Sequence, residues 1–105
     1  MADLSQLFQL GQQVQGRLTQ MQTELAQRSV VGSAGGGMVK VTADGRGQIR
    51  SVEIDPAVAA EGDVEMLEDL VLAAVTDAQR KAEELYRSEL NKLTGGLPLP
   101  FQFPL

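Results

Sequence analysis

The sequence predicts an α+β fold in the order α-β-β-β-α: a long N-terminal helix, a three-stranded antiparallel sheet and a long C-terminal helix. Three observations predict it. Apolar residues near the N-terminus recur at alternating spacings of three and four, an Asp-Gly turn separates two strand-like segments, and a second helical period follows residue 63. The 105 residues suit one small domain, so we expect residues 1–105 to fold as a single unit.

The first predicted helix runs over residues 3–28, within a helical arm of residues 1–28. Its apolar positions form a heptad seam with one glycine gap. They are Leu4, Leu7, Gly11, Val14, Leu18, Met21 and Leu25. Asp3 suits the N-cap, and the other faces are rich in glutamine. We interpret the seam as a core or dimer contact, because helices that lie on membranes are usually rich in Lys and Arg.

The predicted sheet occupies residues 29–55. Two of its strands form a hairpin and carry the apolar residues Val39, Val41, Ala43, Ile49, Val52 and Ile54. Residues 44–47 read Asp-Gly-Arg-Gly, which is typical of a hairpin turn. The alternation fails around Arg50, which predicts a bulge or a twist there. Residues 29–34 are expected to add a third strand, and Pro56 to end the last one.

The glycines of residues 32–37 resemble a phosphate-binding loop only in spacing. Met38 stands where that motif needs lysine, and Val39 stands where it needs a hydroxyl. A strand rather than a helix follows, so no helix N-terminus would face a phosphate. We therefore expect a sharply bent backbone link that needs positive φ or a close backbone approach.

The second long helix is predicted over residues 63–94, with Asp63 as its N-cap and glycines at its end. Its apolar stripe consists of Leu67, Leu70, Val71, Ala74, Ala78, Ala82 and Leu85. Residues 70–75 are apolar all round, which predicts a sheet on one face and a partner subunit on another. The tail of residues 95–105 is rich in proline, and we leave open whether it docks on a groove or stays mobile.

The composition argues against several kinds of chemistry. The chain has no cysteine and no histidine, and no nucleophile–base motif is visible. We therefore expect no enzymatic activity, no cofactor, no metal site and no small-molecule substrate. No signal peptide or membrane-spanning run is recognisable, so we expect a cytoplasmic protein without a membrane partner.

The net charge is −5, but the charges are unevenly distributed. Acidic and basic residues cancel over residues 1–60, and residues 61–77 carry six acids and no base. Residues 78–105 carry four bases and three acids. The basic residues of the second long helix thus lie beyond its acidic block.

Three segments together identify a family. "GGGMVKVTADG", "VEIDP" and "EMLEDLVLAAVTDAQRKAEE" resemble, in this order and spacing, the YbaB/EbfC family of bacterial nucleoid-associated proteins. The glutamine-rich first helix and the "LPLPFQFP" tail are similar in kind, so the resemblance covers essentially the whole chain. It implies a tweezer-like homodimer, joined through the sheet and the second long helix, that binds double-stranded DNA between projecting helical arms in the nucleoid. It implies no catalysis and no cofactor.

The charge pattern, combined with this resemblance, suggests which residues contact DNA and the second subunit. For DNA binding we expect Arg17, Arg28, Arg80, Lys81, Arg87 and Lys92. For the dimer interface we expect Leu67, Leu70, Val71, Ala74, Val75 and Ala78. Three of these basic residues lie four positions after an acid, so ordinary helix ion pairs are the competing interpretation. The pairs are Glu24 with Arg28, Asp77 with Lys81 and Glu83 with Arg87.

With few cations per arm, we expect micromolar affinity at moderate salt, a shallow salt dependence and little sequence discrimination. The alternative function is a coiled-coil adaptor between proteins in DNA replication or repair, without direct DNA contact. Its predicted docking residues are Leu7, Val14 and Leu18, or the tail.

Overall fold

A computed structural model describes residues 3–95, except for the side chain of Thr94. The predicted architecture is confirmed: helix α1 (Leu4–Gln27), strands β1 (Ser29–Ala34), β2 (Val39–Asp44) and β3 (Ile49–Ile54), a short helix α2 (Pro56–Ala60) and helix α3 (Val64–Gly95). The strands form one antiparallel sheet in the order β1-β2-β3. The predicted tail lies outside the described residues.

The caps of the long helices follow the sequence signals. The Asp3 side chain accepts a hydrogen bond from the Gln6 N–H at 2.9 Å, and the Asp63 side chain accepts one from Met66 at 3.0 Å. Short helix α2 was not predicted. Asp55 caps it by accepting from the Ala57 N–H at 2.9 Å, and Pro56 occupies its first turn. An Asp-Pro pair is a known helix start, so the signal was present in the sequence.

The core lies between α3 and one face of the sheet. Val39, Val41 and Ala43 of β2 pack against Ala74 and Ala78 of α3, and all five are fully buried. Gly32 of β1 lets the helix come this close, because a Cβ there would collide with the backbone of both alanines. α3 packs mainly on β1 and β2, so β3 is left largely uncovered.

Three consecutive glycines link β1 to β2, and all have positive φ: 63° at Gly35, 69° at Gly36 and 95° at Gly37. Residues with side chains rarely adopt this conformation. The expected backbone link between strands is confirmed. The expected bulge is also present, since Thr42 pairs with Ser51 while Ala43 pairs with Ile49, which leaves Arg50 as the extra residue.

The β2–β3 hairpin is held by the buried carboxylate of Asp44. It accepts hydrogen bonds from the N–H groups of Arg46 (2.9 Å) and Gln48 (3.0 Å) and from the guanidinium of Arg50 (2.9 Å). Burial raises the pKa of Asp44, but the hydrogen bonds from Gln48, Arg46 and Arg50 together outweigh it, so the pKa lies below the usual value of 3.8. The turn is thereby fixed in one geometry.

Long helices give the molecule an elongated shape, with extents of 69 × 23 × 17 Å. The C-terminal half of α1 packs on the body, where Met21 and Leu25 are buried. The N-terminal turns project from it, and Leu4 and Phe8 are 81% and 69% exposed. The heptad seam is therefore a core contact at one end and uncovered at the other. No helix among the described residues is long and apolar enough to span a membrane.

Candidate nucleic-acid interface

Cationic side chains fall into two classes. Six of them form ion pairs with carboxylates, namely Arg28, Arg50, Arg80, Lys81, Arg87 and Lys92. Among the described residues, Arg17, Lys40 and Arg46 make no ion pair and no side-chain hydrogen bond. An unpaired cation can bind a phosphate without disturbing any contact of the fold, whereas a paired one must share its donors with its carboxylate or release it.

The outward face of α3 carries Arg80 and Arg87. Arg80 lies 2.8 Å from both Asp77 and Glu84, and Arg87 lies 3.4 Å from Glu83. The carboxylate of Asp77 and the neighbouring Glu84 raise the pKa of Arg80 above its ordinary value. These are exposed pairs within one helix, of a kind that contributes little to stability and exchanges readily with other ions.

A second basic group lies in a cleft of about 390 Å³ between α1 and α3, lined by Arg17, Gln20, Met21, Glu24, Glu89, Lys92 and Leu93. Glu89 pairs with two of these basic residues: Arg28 lies 3.0 Å and Lys92 3.3 Å from its carboxylate. The pair of Arg28 with Glu24 suggested by their spacing does not form. Arg28 already has extended backbone after the end of α1, so its side chain reaches across to α3 instead.

Lys81 contacts the sheet as well as the acid four positions before it, and its helical spacing predicts only the second contact. Its ammonium donates a hydrogen bond to the Val31 carbonyl on the outer edge of β1 at 2.8 Å, besides its pair with Asp77 at 3.4 Å. Asp77 in turn accepts from the Ser33 N–H on the same edge at 3.0 Å. Two side chains of α3 therefore occupy the backbone groups that a neighbouring strand would need.

Asp77 has a strongly lowered pKa of about 2, against 3.8 ordinarily. The hydrogen bond from Ser33 is the main cause, followed by that from Arg80; burial opposes them and Lys81 adds to them. A carboxylate with a depressed pKa stabilises the fold fully above pH 3.8, and this contribution is lost as the pH falls to about 2.

Replacing Asp77 by asparagine should therefore lower the stability at neutral pH and flatten its loss between pH 4 and pH 2. Urea unfolding followed by circular dichroism at several pH values measures both effects. Asp69→Asn is the matched control, because Asp69 is an exposed carboxylate on the same helix. An Asp77→Asn protein with the same acid dependence as the unmodified chain would contradict this role.

The residues expected at a dimer interface divide into two groups. Ala74 and Ala78 fill the core of the single chain, against Gly32, and have no exposed surface for a second copy. Leu67, Leu70, Val71 and Val75 are only partly buried at the margin of that core. Sequence periodicity could not separate the two groups, because all six residues share one broad face of α3.

Comparison with known proteins decides the family. The profile of the YbaB/EbfC DNA-binding family matches residues 1–97. The chain belongs to this family. It is 50% identical over 101 residues to a nucleoid-associated protein of Thermoanaerobacter sp. (strain X514), covering 96% of this chain and 91% of that one. It is 43% identical over 102 residues to a nucleoid-associated protein of Gemmatimonas aurantiaca, covering 97% and 98%.

A solved structure shares the fold. The crystal structure of an uncharacterized protein from Helicobacter pylori superposes with a TM-score of 0.79 at 26% identity, covering 91% of this chain and all of that one. The match of the family profile to residues 1–97 confirms the resemblance found in the sequence segments. In this YbaB/EbfC fold, the expected basic residues lie along α3 and at its cleft with α1.

Proposed function

We propose that this YbaB/EbfC chain is a non-enzymatic, nucleoid-associated protein that binds double-stranded DNA as a homodimer through its helical arms. The observation that carries the proposal is the arrangement of cations along the arms, in a chain whose family is described as DNA-binding. Arg80 and Arg87 face outward on α3, Arg17 and Lys92 line the cleft between α1 and α3, and Arg28 pairs with Glu89 of that cleft. The acidic residues 61–69 lie at the opposite end of α3.

Phosphate neutralisation is the main source of affinity in this proposal. The guanidinium groups of Arg80 and Arg87 can exchange their exposed carboxylate partners for phosphate oxygens. The amides of α1 add hydrogen bonds but release no counterions. The few cations, which are not arranged to contact base edges, give weak binding with little sequence specificity. The protein acts in the nucleoid, within the cytoplasm. Lys81 takes part less, because it holds the β1 edge.

The two edges of the sheet favour a homodimer joined through β3. The β1 edge is occupied by Lys81 and Asp77, whereas no hydrogen bond from the described residues reaches the outward backbone of β3. Val52 and Ile54 of β3 pair with core residues of β2, so they share the face that α3 covers elsewhere. They are nevertheless 45% and 38% exposed. A second copy would cover this apolar shelf together with the partly buried Leu67, Leu70, Val71 and Val75.

Removing the arm charges tests the DNA proposal. We expect the variant with Arg17, Arg80 and Arg87 all changed to Ala to bind a short duplex roughly a hundredfold more weakly at low salt, and with a smaller salt slope. Fluorescence anisotropy titrations measure both quantities. Lys40→Ala is the control, since Lys40 is an exposed, unpaired cation on the sheet. Unchanged binding by the triple variant would show that the arms are not the DNA site.

A second candidate function, a protein–protein adaptor in DNA replication or repair, is favoured by one observation. Leu4, Leu7 and Phe8 form an exposed apolar tip on α1 that nothing in residues 3–95 covers. An adaptor would dock its partner there without touching DNA. Duplex binding by the purified protein distinguishes the two functions, because only the first requires it.

A further inference from the structure

We propose that Arg46, at the tip of the β2–β3 hairpin, is an additional contact for the phosphodiester backbone of bound DNA. The proposal rests on the DNA-binding function above and adds a site on the sheet to those on the helices. In the sequence, neither its position on a turn nor its spacing from other basic residues marks Arg46 as a residue that contacts DNA. Its surroundings in the structure do.

The backbone at Arg46 is held rigidly. The Gly45 N–H donates to the carbonyls of Leu25 (2.8 Å) and Arg28 (3.1 Å), which fastens the hairpin tip to the end of α1. A Cβ at position 45 would lie 2.6 Å from the Leu25 oxygen, so only glycine allows this contact. The Asp44 carboxylate holds the Arg46 N–H at 2.9 Å from the other side. The side chain therefore projects from a fixed point.

No carboxylate occupies the guanidinium of Arg46. It is exposed and has no ion-pair partner among the described residues, unlike the arginines on α3 and at the end of α1. The only acidic residue in the two grooves that it lines is Glu83, which pairs with Arg87 at 3.4 Å. Arg46 can bind an anion without breaking an existing ion pair.

The grooves beside Arg46 combine neutral hydrogen-bonding groups with apolar side chains, which are Leu18 and Ala26 on the α1 side and Ala82 on the α3 side. On the α1 side, a groove of about 490 Å³ contains Gln15, Thr19, Gln22, Thr23 and Gln27. On the α3 side, a groove of about 330 Å³ contains Gln79 and the half-exposed Tyr86. Amide, hydroxyl and guanidinium groups together are the set that contacts phosphate and sugar oxygens in protein–DNA complexes.

The shape of this surface favours a strand over a single small anion. Gln15 to Gln27 extends about 18 Å along α1 at 1.5 Å per residue. A DNA strand that runs alongside α1 presents several successive phosphates over that length. A single phosphate would leave most of the groove amides without a partner, whereas a backbone that follows α1 reaches them in succession and meets Arg46 at the hairpin end.

The direct test of this proposal compares duplex binding by the Arg46→Gln variant with binding by the Lys40→Gln variant. Lys40 is also exposed and unpaired, and it lies at the other end of β2, next to the glycine link. Both changes remove one charge and no contact within the described fold. We expect Arg46→Gln to weaken duplex binding roughly tenfold at low salt and to lower the salt slope by about one per bound chain, while Lys40→Gln leaves both unchanged. Arg46→Lys should restore the slope.

Two results would overturn the inference. If Arg46→Gln and Lys40→Gln weaken binding equally, the effect is one of net charge and not of a site. If Arg46→Gln binds as the unmodified protein does while the arm variant loses affinity, DNA is bound by the helices alone. An unmodified protein that fails to bind duplex DNA even at low salt would contradict the proposed function itself, and the inference with it.

Discussion

Replacing Gly32 by alanine is expected to destabilise the fold more than the same change at any other glycine of residues 3–95. The new Cβ would lie 2.7 Å from the Cα of Ala78 and closer still to the Ala78 nitrogen and the Ala74 oxygen. These are backbone atoms of α3 and cannot move aside as a flexible side chain would. The helix would have to lift from β1, exposing Val39 and Val41.

We expect Gly32→Ala to lose at least about 3 kcal/mol of unfolding free energy, a large share of the ~5–15 kcal/mol of an ordinary domain. Urea denaturation measures it. Gly16→Ala is the matched control, because Gly16 lies within α1 and has open space around it. That change should stabilise the protein by up to about 1 kcal/mol, through helix propensity. A Gly32→Ala protein as stable as the unmodified one would show that α3 does not seat on β1 in this way.

Replacing Val52 by aspartate is expected to convert the proposed homodimer into a monomer. Val52 is 45% exposed on the apolar shelf of β3, so a carboxylate there is tolerated in the single chain. In the proposed dimer it would be buried without a partner, at a cost of several kcal/mol. Light scattering or analytical ultracentrifugation of both proteins at matched concentration reports the change in mass.

Ser51→Asp is the control for this variant. Ser51 is the neighbour of Val52 in β3, and successive side chains of a strand point to opposite faces. The same charge is therefore added to the face away from α3, and the dimer should persist. A Val52→Asp protein that stays dimeric, or a monomeric unmodified protein, would exclude the β3 shelf as the interface.

Local rules were enough to predict the two long helices and the three strands. The heptad spacing, the caps Asp3 and Asp63, the Asp-Gly turn and the bulge at Arg50 depend on residues close in sequence. The sequence also suggested that glycines in residues 32–37 serve the backbone. In the structure Gly32 allows close approach to α3, while Gly35, Gly36 and Gly37 supply positive φ.

Contacts between distant segments could not be predicted in the same way. Periodicity places Arg28 beside Glu24, but its partner is Glu89, 61 residues away. Lys81 and Asp77 form the expected helix pair. In addition, Lys81 donates to a carbonyl of β1 that is 50 residues away, and Asp77 accepts from an N–H of β1 that is 44 residues away. The way in which α3 crosses the sheet decides which strand stays uncovered. It also decides that the guanidinium of Arg46 forms no ion pair among the described residues.

Titration of a short DNA duplex with the unmodified protein and with Val52→Asp, over a series of salt concentrations, tests the central claim most directly. A two-armed homodimer should bind with micromolar affinity at moderate salt, and more tightly as salt falls. The monomeric variant should lose about a hundredfold at low salt, because it binds with one subunit instead of two linked ones. If the unmodified protein shows no binding at low salt, or if both proteins bind equally, the claim that paired helical arms hold DNA is wrong.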